Sequence, residues 1–242
     1  MKKLFTCFLL LIFSISYADD IKIITKEIKD SSASLRYHVS AKYPQLDGMK
    51  NQKIQDNINL QIYKIVLDDI NNFTSDMKDW DLTNVPKDFN SEIDHSFTSY
   101  TLTNEVFSFS FEIYAYYAGA AHPNHWSESM NFDLINGKLI SFKDLFKTDS
   151  KFLEKISLFC KKDLQLQAEI NDYSFDEVML NDGAGAKLTN FKNFNILQKG
   201  IQITFDPYQV APYVVGTQYV IIPYSALYEF ISEDSILSKF VY

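Results

Sequence analysis

E-V-F-S-F-S-F-E-I-Y-A-Y-Y, from Glu105 to Tyr117, sets Phe107, Phe109, Phe111 and Ile113 against Ser108, Ser110 and Glu112. Such alternation marks a strand with one face on a core, because successive side chains point to opposite sides. Glu92 to Thr103 reads as its partner, with the turn near Thr103-Asn104. Toward the N-terminus, Ile21 to Asp30 and Ala33 to Tyr43 read as two more strands. In the second, Leu35, Tyr37 and Val39 alternate with Arg36 and His38; Tyr43-Pro44 is expected to end it and Asp47-Gly48 to turn the chain. Asn51 to Phe73 predicts a helix, because Ile54, Ile58, Ile62, Ile65, Val66 and Phe73 share one face. Its Asn-rich polar side is a weak helix former, so packing must hold it. The polar stretch Asp76 to Asp88, with Trp80 and Pro86, reads as a loop.

Toward the C-terminus, Ser127 to Leu134 and Lys138 to Phe142 flank Asn136-Gly137, the favoured two-residue hairpin turn. A new unit opens over Ser141 to Phe146. A second helix follows from Ser150 to Ile170, with Phe152, Ile156, Phe159, Cys160 and Leu164 on its apolar face. Asp182-Gly183-Ala184-Gly185-Ala186 reads as a flexible connector. Phe191 to Leu197, Gly200 to Phe205 and Thr217 to Ile222 are three further strands, and Pro223 opens a short helix through Ile231. The fold class is therefore α+β: mainly antiparallel sheet built of hairpins, packed by two longer helices and a short C-terminal one, rather than alternating βαβ units.

Met1 to Ala18 has the form of a secretory signal peptide. Lys2 and Lys3 precede the apolar run Leu4 to Ile15, and Ser16-Tyr17-Ala18 places small residues before a cut. No later stretch reaches the ~18 apolar residues of a spanning helix, so no transmembrane anchor is expected after cleavage. The mature chain from Asp19 is expected in the periplasm or secreted. Without Lys2 and Lys3 it carries 21 basic residues against 31 acidic ones. That balance argues against nucleic acid, which needs a basic face, and is compatible with a basic protein partner. Only Cys160 remains, so no internal disulfide can form and the 20 Phe and 15 Tyr must supply the core.

No reaction is spelled out. His122 and His125 stand in H-x-x-H near Glu128, but zinc needs at least three ligands of suitable geometry. No metal is assigned, and these read as surface or hydrogen-bonded loop histidines. His38 and His95 sit singly on strand patterns and read as surface or packing residues. There is no G-x-S-x-G turn, and Cys160 lies on a core face. Asp19-Asp20, Asp68-Asp69 and Asp176-Glu177 are adjacent in sequence, so their side chains do not converge. The glycine-rich Asp182 stretch lacks the Lys-Ser/Thr of a phosphate loop. The chain is read as a non-enzyme without a cofactor, with no catalytic residue; an uncharacterised hydrolase is the third alternative.

The functional lead is a pair of aromatic loops. Tyr116 to Trp126 reads Y-Y-A-G-A-A-H-P-N-H-W, and Phe205 to Gly216 reads F-D-P-Y-Q-V-A-P-Y-V-V-G. Gly and Pro stiffen such loops, and Tyr brings large contact area with few rotatable bonds. Tyr117, Gly119, His122, Pro207, Tyr208, Pro212 and Tyr213 are the candidate binding residues, for a protein or for sugar rings. Tyr116 and Trp126 are further aromatic candidates. The competing reading packs these rings under the sheet.

These loops, with M-N-F-D-L-I-N-G-K-L-I-S-F-K-D-L-F (130–146) and V-I-I-P-Y-S-A-L (220–227), resemble the RsiV-like extracytoplasmic domain of unknown function, also found in the peptidoglycan deacetylase PdaC. Y-P-Q-L-D-G-M-K-N-Q-K-I-Q-D-N-I-N (43–59) is similar to the segment that precedes that domain. The resemblance runs from Ile21 to Phe230. It divides the chain into a signal peptide (1–18), an N-terminal part (19–115) and a C-terminal RsiV-like domain (116–242), packed as one unit. It implies an α+β fold and a non-enzymatic role at the cell envelope. The RsiV-like relatives are lysozyme receptors, so it implies lysozyme or another basic protein as partner. The deacetylase relatives imply peptidoglycan instead. A stand-alone exported version is expected, without the sigma-binding segment or the deacetylase domain.

Overall fold

In the computed structural model, residues 21–148, 151–171 and 173–241 are described. The signal-peptide expectation lies outside them. Two sheets form, each with its own helix and apolar core.

The first sheet has six strands in sequence order: β1 (Lys22–Ser32), β2 (Tyr37–Asp47), β3 (Ser91–Leu102), β4 (Val106–Tyr116), β5 (Asn124–Asp133) and β6 (Lys138–Leu139). All neighbours are antiparallel except β2 and β3, which run parallel with α1 (Gln52–Asp79) between them. One βαβ unit thus sits among hairpins. Pro44 does not end β2, which continues to Asp47. From Lys42 onward β2 is paired only with β1, so the missing N–H costs nothing on its other side.

Asn51 caps α1, its side chain accepting from the Ile54 N–H. Ile58, Ile62, Val66, Ile70, Phe73 and Met77 form the buried stripe. Each such burial contributes roughly 1.5–3 kcal/mol, which offsets the poor propensity of the Asn-rich face. The helix outruns its expected end because Met77 extends the stripe through polar sequence. The turn after β5 also departs from expectation. Only Gly137 (φ 72°) is left-handed, and its N–H donates to Asp133 O at 2.8 Å across a longer loop.

The second sheet, β7 (Phe194–Ile196), β8 (Gly200–Phe205) and β9 (Gln218–Pro223), is antiparallel throughout. It packs on α2 (Phe152–Ile170), whose Ile156, Cys160 and Leu164 are buried. Three short α-helices follow among the described residues: α3 (Glu177–Gly183), α4 (Tyr224–Leu227) and α5 (Ser238–Val241). The division drawn after Ala115 falls inside the six-stranded sheet, near the end of β4.

The two sheets meet through side chains. Ser108 and Ser110, on the polar side of the alternation, are both buried. Asn195 of β7 donates to Ser108 Oγ (3.1 Å) and Phe109 O (2.9 Å), and accepts from Ser110 (3.3 Å) and Ser129 (3.1 Å). Asn131 accepts from the Ile196 N–H at 3.1 Å and donates to Phe194 O at 2.8 Å. The open face of β4 and β5 is thus a polar dock for β7.

The Gly183–Ala186 stretch is not a connector. It ends α3 against the 206–216 loop, and a Cβ on Gly183 would stand 1.8 Å from Gln209 O. Gly to Ala in a helix ordinarily stabilises by about 1 kcal/mol. Here Gly183→Ala is expected to lose about 2 kcal/mol or more, because backbone must move. Urea unfolding of both proteins measures the sign.

Candidate functional site

The polar dock has a geometric result. Asp206 leaves the end of β8 and accepts from the Ser127 N–H (2.8 Å) and Asn193 Nδ2 (3.0 Å). These bonds pin the start of the second aromatic loop to β5. Burial raises the Asp206 pKa above the usual carboxylate range, and the same hydrogen bonds oppose that rise. The loop then turns back through Tyr208 (φ 70°), whose N–H donates to Ala211 O at 3.0 Å.

The two aromatic loops meet. The Tyr213 hydroxyl donates to Pro123 O at 2.8 Å, bridging 90 residues of sequence. The His122 ring stacks on Tyr213 with centroids 4.4 Å apart, and Tyr208 lies 5.6 Å away. His125 sits between Tyr213 (6.1 Å) and Tyr114 (5.0 Å). This rim overlooks a groove of about 640 Å³ on the open face of the first sheet. Its floor is Ser40 and Lys42 of β2, Asp94 and Ser96 of β3, and Glu112 and Tyr114 of β4. Its far wall is Pro207, Tyr213, Gly216, Thr217 and Tyr219.

The candidate residues divide accordingly. His122, Pro207, Tyr208 and Tyr213 gather at the rim, with Pro212 exposed at the start of the short 3₁₀ turn Tyr213–Val215. Tyr117 and Gly119 do not join them. Tyr117 packs on Phe73 (5.5 Å) and Trp80 (4.9 Å), on the α1 side of the sheet. Burial, and then its hydrogen bond to Asp76, push its hydroxyl pKa to about 12. Gly119 (φ 94°) lies beside Val85, where a Cβ would approach to 2.9 Å. Both shape the loop that carries His122. Trp126 packs partly against the core of the first sheet and also lines the groove, and Tyr116 is half-buried. Lys42, Asp94, Glu112, Tyr114 and Tyr219 escaped the sequence reading. They occupy the polar half of an alternating strand, a pattern that looks the same whether it faces a groove or bulk water.

No group of three or more His, Cys, Asp or Glu residues gathers to hold a metal among the described residues, and His122 and His125 are engaged with Tyr213. Cys160 is buried, and burial raises its thiol pKa well above the ordinary value, which disfavours the thiolate a nucleophile requires.

The groove lies at the junction of two family matches. Residues 28–125 match the family described as deacetylase PdaC, and residues 143–225 match DUF3298, a protein family of unknown function. The chain holds a DUF3298/PdaC-like domain. The PdaC-like region supplies the groove floor and His122, and the DUF3298 region supplies Pro207, Tyr213 and Tyr219. The peptidoglycan-N-acetylmuramic acid deacetylase PdaC of Bacillus subtilis is 29% identical over 168 residues, covering 69% of this chain and 35% of that protein. The immunogenic protein MPT64 of Mycobacterium tuberculosis is 24% identical over 110 residues, 46% of either chain. This chain therefore spans less than half the length of the curated relatives it matches. The fold is that of a DUF3298 family member from Bacteroides fragilis (TM-score 0.63, 16% identity, 91% of this chain and 96% of that one). It is shared by one from Pseudomonas aeruginosa (TM-score 0.62, 13% identity, 89% and 97%). No helix among the described residues is long and apolar enough to cross a membrane.

Beneath the groove floor, His95 of β3 points toward α1, against Phe111 (5.9 Å). It is buried, whereas His38 is exposed. Its Nε2 lies 3.7 Å from Asp69 Oδ2, beyond hydrogen-bond range, and both ring nitrogens and that oxygen are buried without a partner. Burial lowers the His95 pKa to about 4 and raises that of Asp69. An unfolded imidazole takes its proton near 6.5, so the unfolded chain is protonated first as the pH falls. The stability due to neutral His95 is complete above about pH 6.5 and is lost toward about pH 4. Asp69 acts in the opposite sense, since its folded form holds the proton more tightly. A His95→Gln variant isolates the histidine. Its stability should fall less than the parent's across that window, by up to about 3 kcal/mol, in urea titrations at both ends. Equal falls in the two proteins would contradict a neutral, buried His95.

Proposed function

We propose that this chain is an exported, non-catalytic binding protein of the cell envelope. Its partner is a basic protein of the lysozyme-like muramidase class, held at the groove beneath the joined loops. The meeting of the two aromatic loops through Tyr213 carries the reading. It creates a rigid aromatic rim above a floor bearing Asp94 and Glu112 against the single cation Lys42. The chain as a whole has a net charge of −8. Complementary charge would speed encounter with a basic partner, and Tyr213 and Tyr219 would supply desolvated contact area. An extracytoplasmic location accords with the likeness to PdaC, a protein named for acting on peptidoglycan.

A second reading is a peptidoglycan or glycan module, favoured by the groove lining itself. Tyr114, Tyr213 and Tyr219 line it beside carboxylates, a composition suited to sugar rings.

Calorimetric titration into lysozyme at low salt, with sedimentation on purified sacculi in parallel, separates the two. Binding to lysozyme that weakens as salt rises, and at least about tenfold in Glu112→Lys and Tyr219→Ala, is the expected result. Sedimentation with sacculi and no heat with lysozyme would transfer the role to the glycan reading. Neither signal at tens of micromolar would remove both.

A further inference from the structure

The six-stranded sheet ends on β1, whose outer edge meets no other strand among the described residues. It is a long edge, Lys22–Ser32, and its register with β2 runs without a bulge. Exposed edges of this kind are usually blunted by short length, Pro, bulges or charged side chains, Lys above all, and of these β1 has only the charge. It carries both signs, as Lys26-Glu27-Ile28-Lys29-Asp30, and Glu27 and Lys29 form an ion pair at 3.0 Å.

We propose that β1 pairs antiparallel with β1 of a second copy of this chain, joining the two sheets into one of twelve strands around a two-fold axis at Ile28. Two physical constraints select that register. Along an antiparallel ladder, successive residues direct their N–H and C=O alternately toward β2 and toward the free edge. Outward-facing residues of one copy must oppose outward-facing residues of the other. Symmetric registers are therefore centred on a residue that faces itself.

Charge then decides among the centres. A centre at Lys26, Glu27, Lys29 or Asp30 sets two like charges directly opposite, which is destabilising. A centre at Ile24 opposes Lys22 to Lys26, and one at Thr25 opposes no charges of opposite sign. The centre at Ile28 opposes Lys26 to Asp30 and Glu27 to Lys29, each twice by symmetry, with Ile28 on Ile28 between them. Only this register uses every charge of the central segment. The contact is isologous and closes on itself, so it gives a dimer rather than a fibre.

The pairing also goes beyond the single binding groove. Glu27 and Lys29 stand opposite Lys42 and Ser40, which belong to the groove floor. A two-fold antiparallel junction keeps both open faces on the same side, so one dimer would present two grooves to a repetitive or multivalent target.

Light scattering and sedimentation equilibrium of the purified chain across concentration test the proposal directly. A dimer that dissociates in the micromolar range is expected. Lys26→Glu with Lys29→Glu makes the central segment 26–30 uniformly acidic and should raise the dissociation constant at least about tenfold. Glu27→Lys with Asp30→Lys makes it uniformly basic and should do the same. Mixing the two variants should restore dimers, because every opposed pair is then of opposite sign. Circular dichroism confirms that each variant is folded; if the basic one is not, the acidic one alone still decides. A parent that stays monomeric to about 0.5 mM, corresponding to binding weaker than roughly 4.5 kcal/mol, would overturn the proposal. So would an acidic variant that dimerises as strongly as the parent, or folded variants that fail to combine.

Discussion

The groove and its aromatic rim depend on the polar junction of β7 with β4 and β5. Asn195, buried and fully engaged by Ser108, Ser110, Ser129 and Phe109 O, is its centre. A buried amide left without partners would cost on the order of 1–3 kcal/mol, so the junction is stable only when all of it is made. Nonspecific apolar contact could slide; a set of directed bonds between named atoms cannot. The seam therefore fixes register between two sheets whose apolar cores are otherwise separate.

The groove is a product of that register. Asn193 and Asp206 continue the seam beyond Asn195, tying β7 and the end of β8 to Ser127. With Asp206 held, the following loop has one place to go, and Tyr213 reaches Pro123. The rim is thus supported from below by the same bonds that dock the sheets. A site built this way is pre-organised, so little ordering cost is added when a ligand arrives.

The two ends of the first sheet carry different chemistry. Over β4 and β5 the open face is covered by the second sheet and the joined loops. At β1 it is bare, and that edge strand carries charges of both signs. His95 and Asp69 lie buried and unpartnered between sheet and helix, where the histidine makes stability sensitive to acid and the carboxyl opposes it.

Much of the fold was legible in the sequence. The Phe/Ser alternation of β4, the isoleucine stripe of α1 and the apolar face of α2 each report burial through a period that depends on local backbone geometry alone. The α+β class followed from them. Less was legible where the outcome depends on what lies opposite. Pro44 reads as a stop, yet is harmless because nothing pairs on that side of β2 there. Gly183 to Ala186 reads as slack, yet is tight because another loop backbone lies against it. The polar alternation of Ser108 and Ser110 does not say what they face, and they are buried because β7 arrives with matching hydrogen-bond groups. At the candidate site, His122, Pro207, Tyr208 and Tyr213 stood out by loop chemistry, while Tyr117 looked equivalent and is a packing residue. Sequence by itself determined the elements, their buried faces and the two aromatic loops, since these rest on periodicity and turn chemistry. Tertiary structure alone decided that the loops meet and which polar strand positions floor the groove. Those facts depend on contacts between residues far apart in the chain, whose local patterns are the same whether they face protein or water.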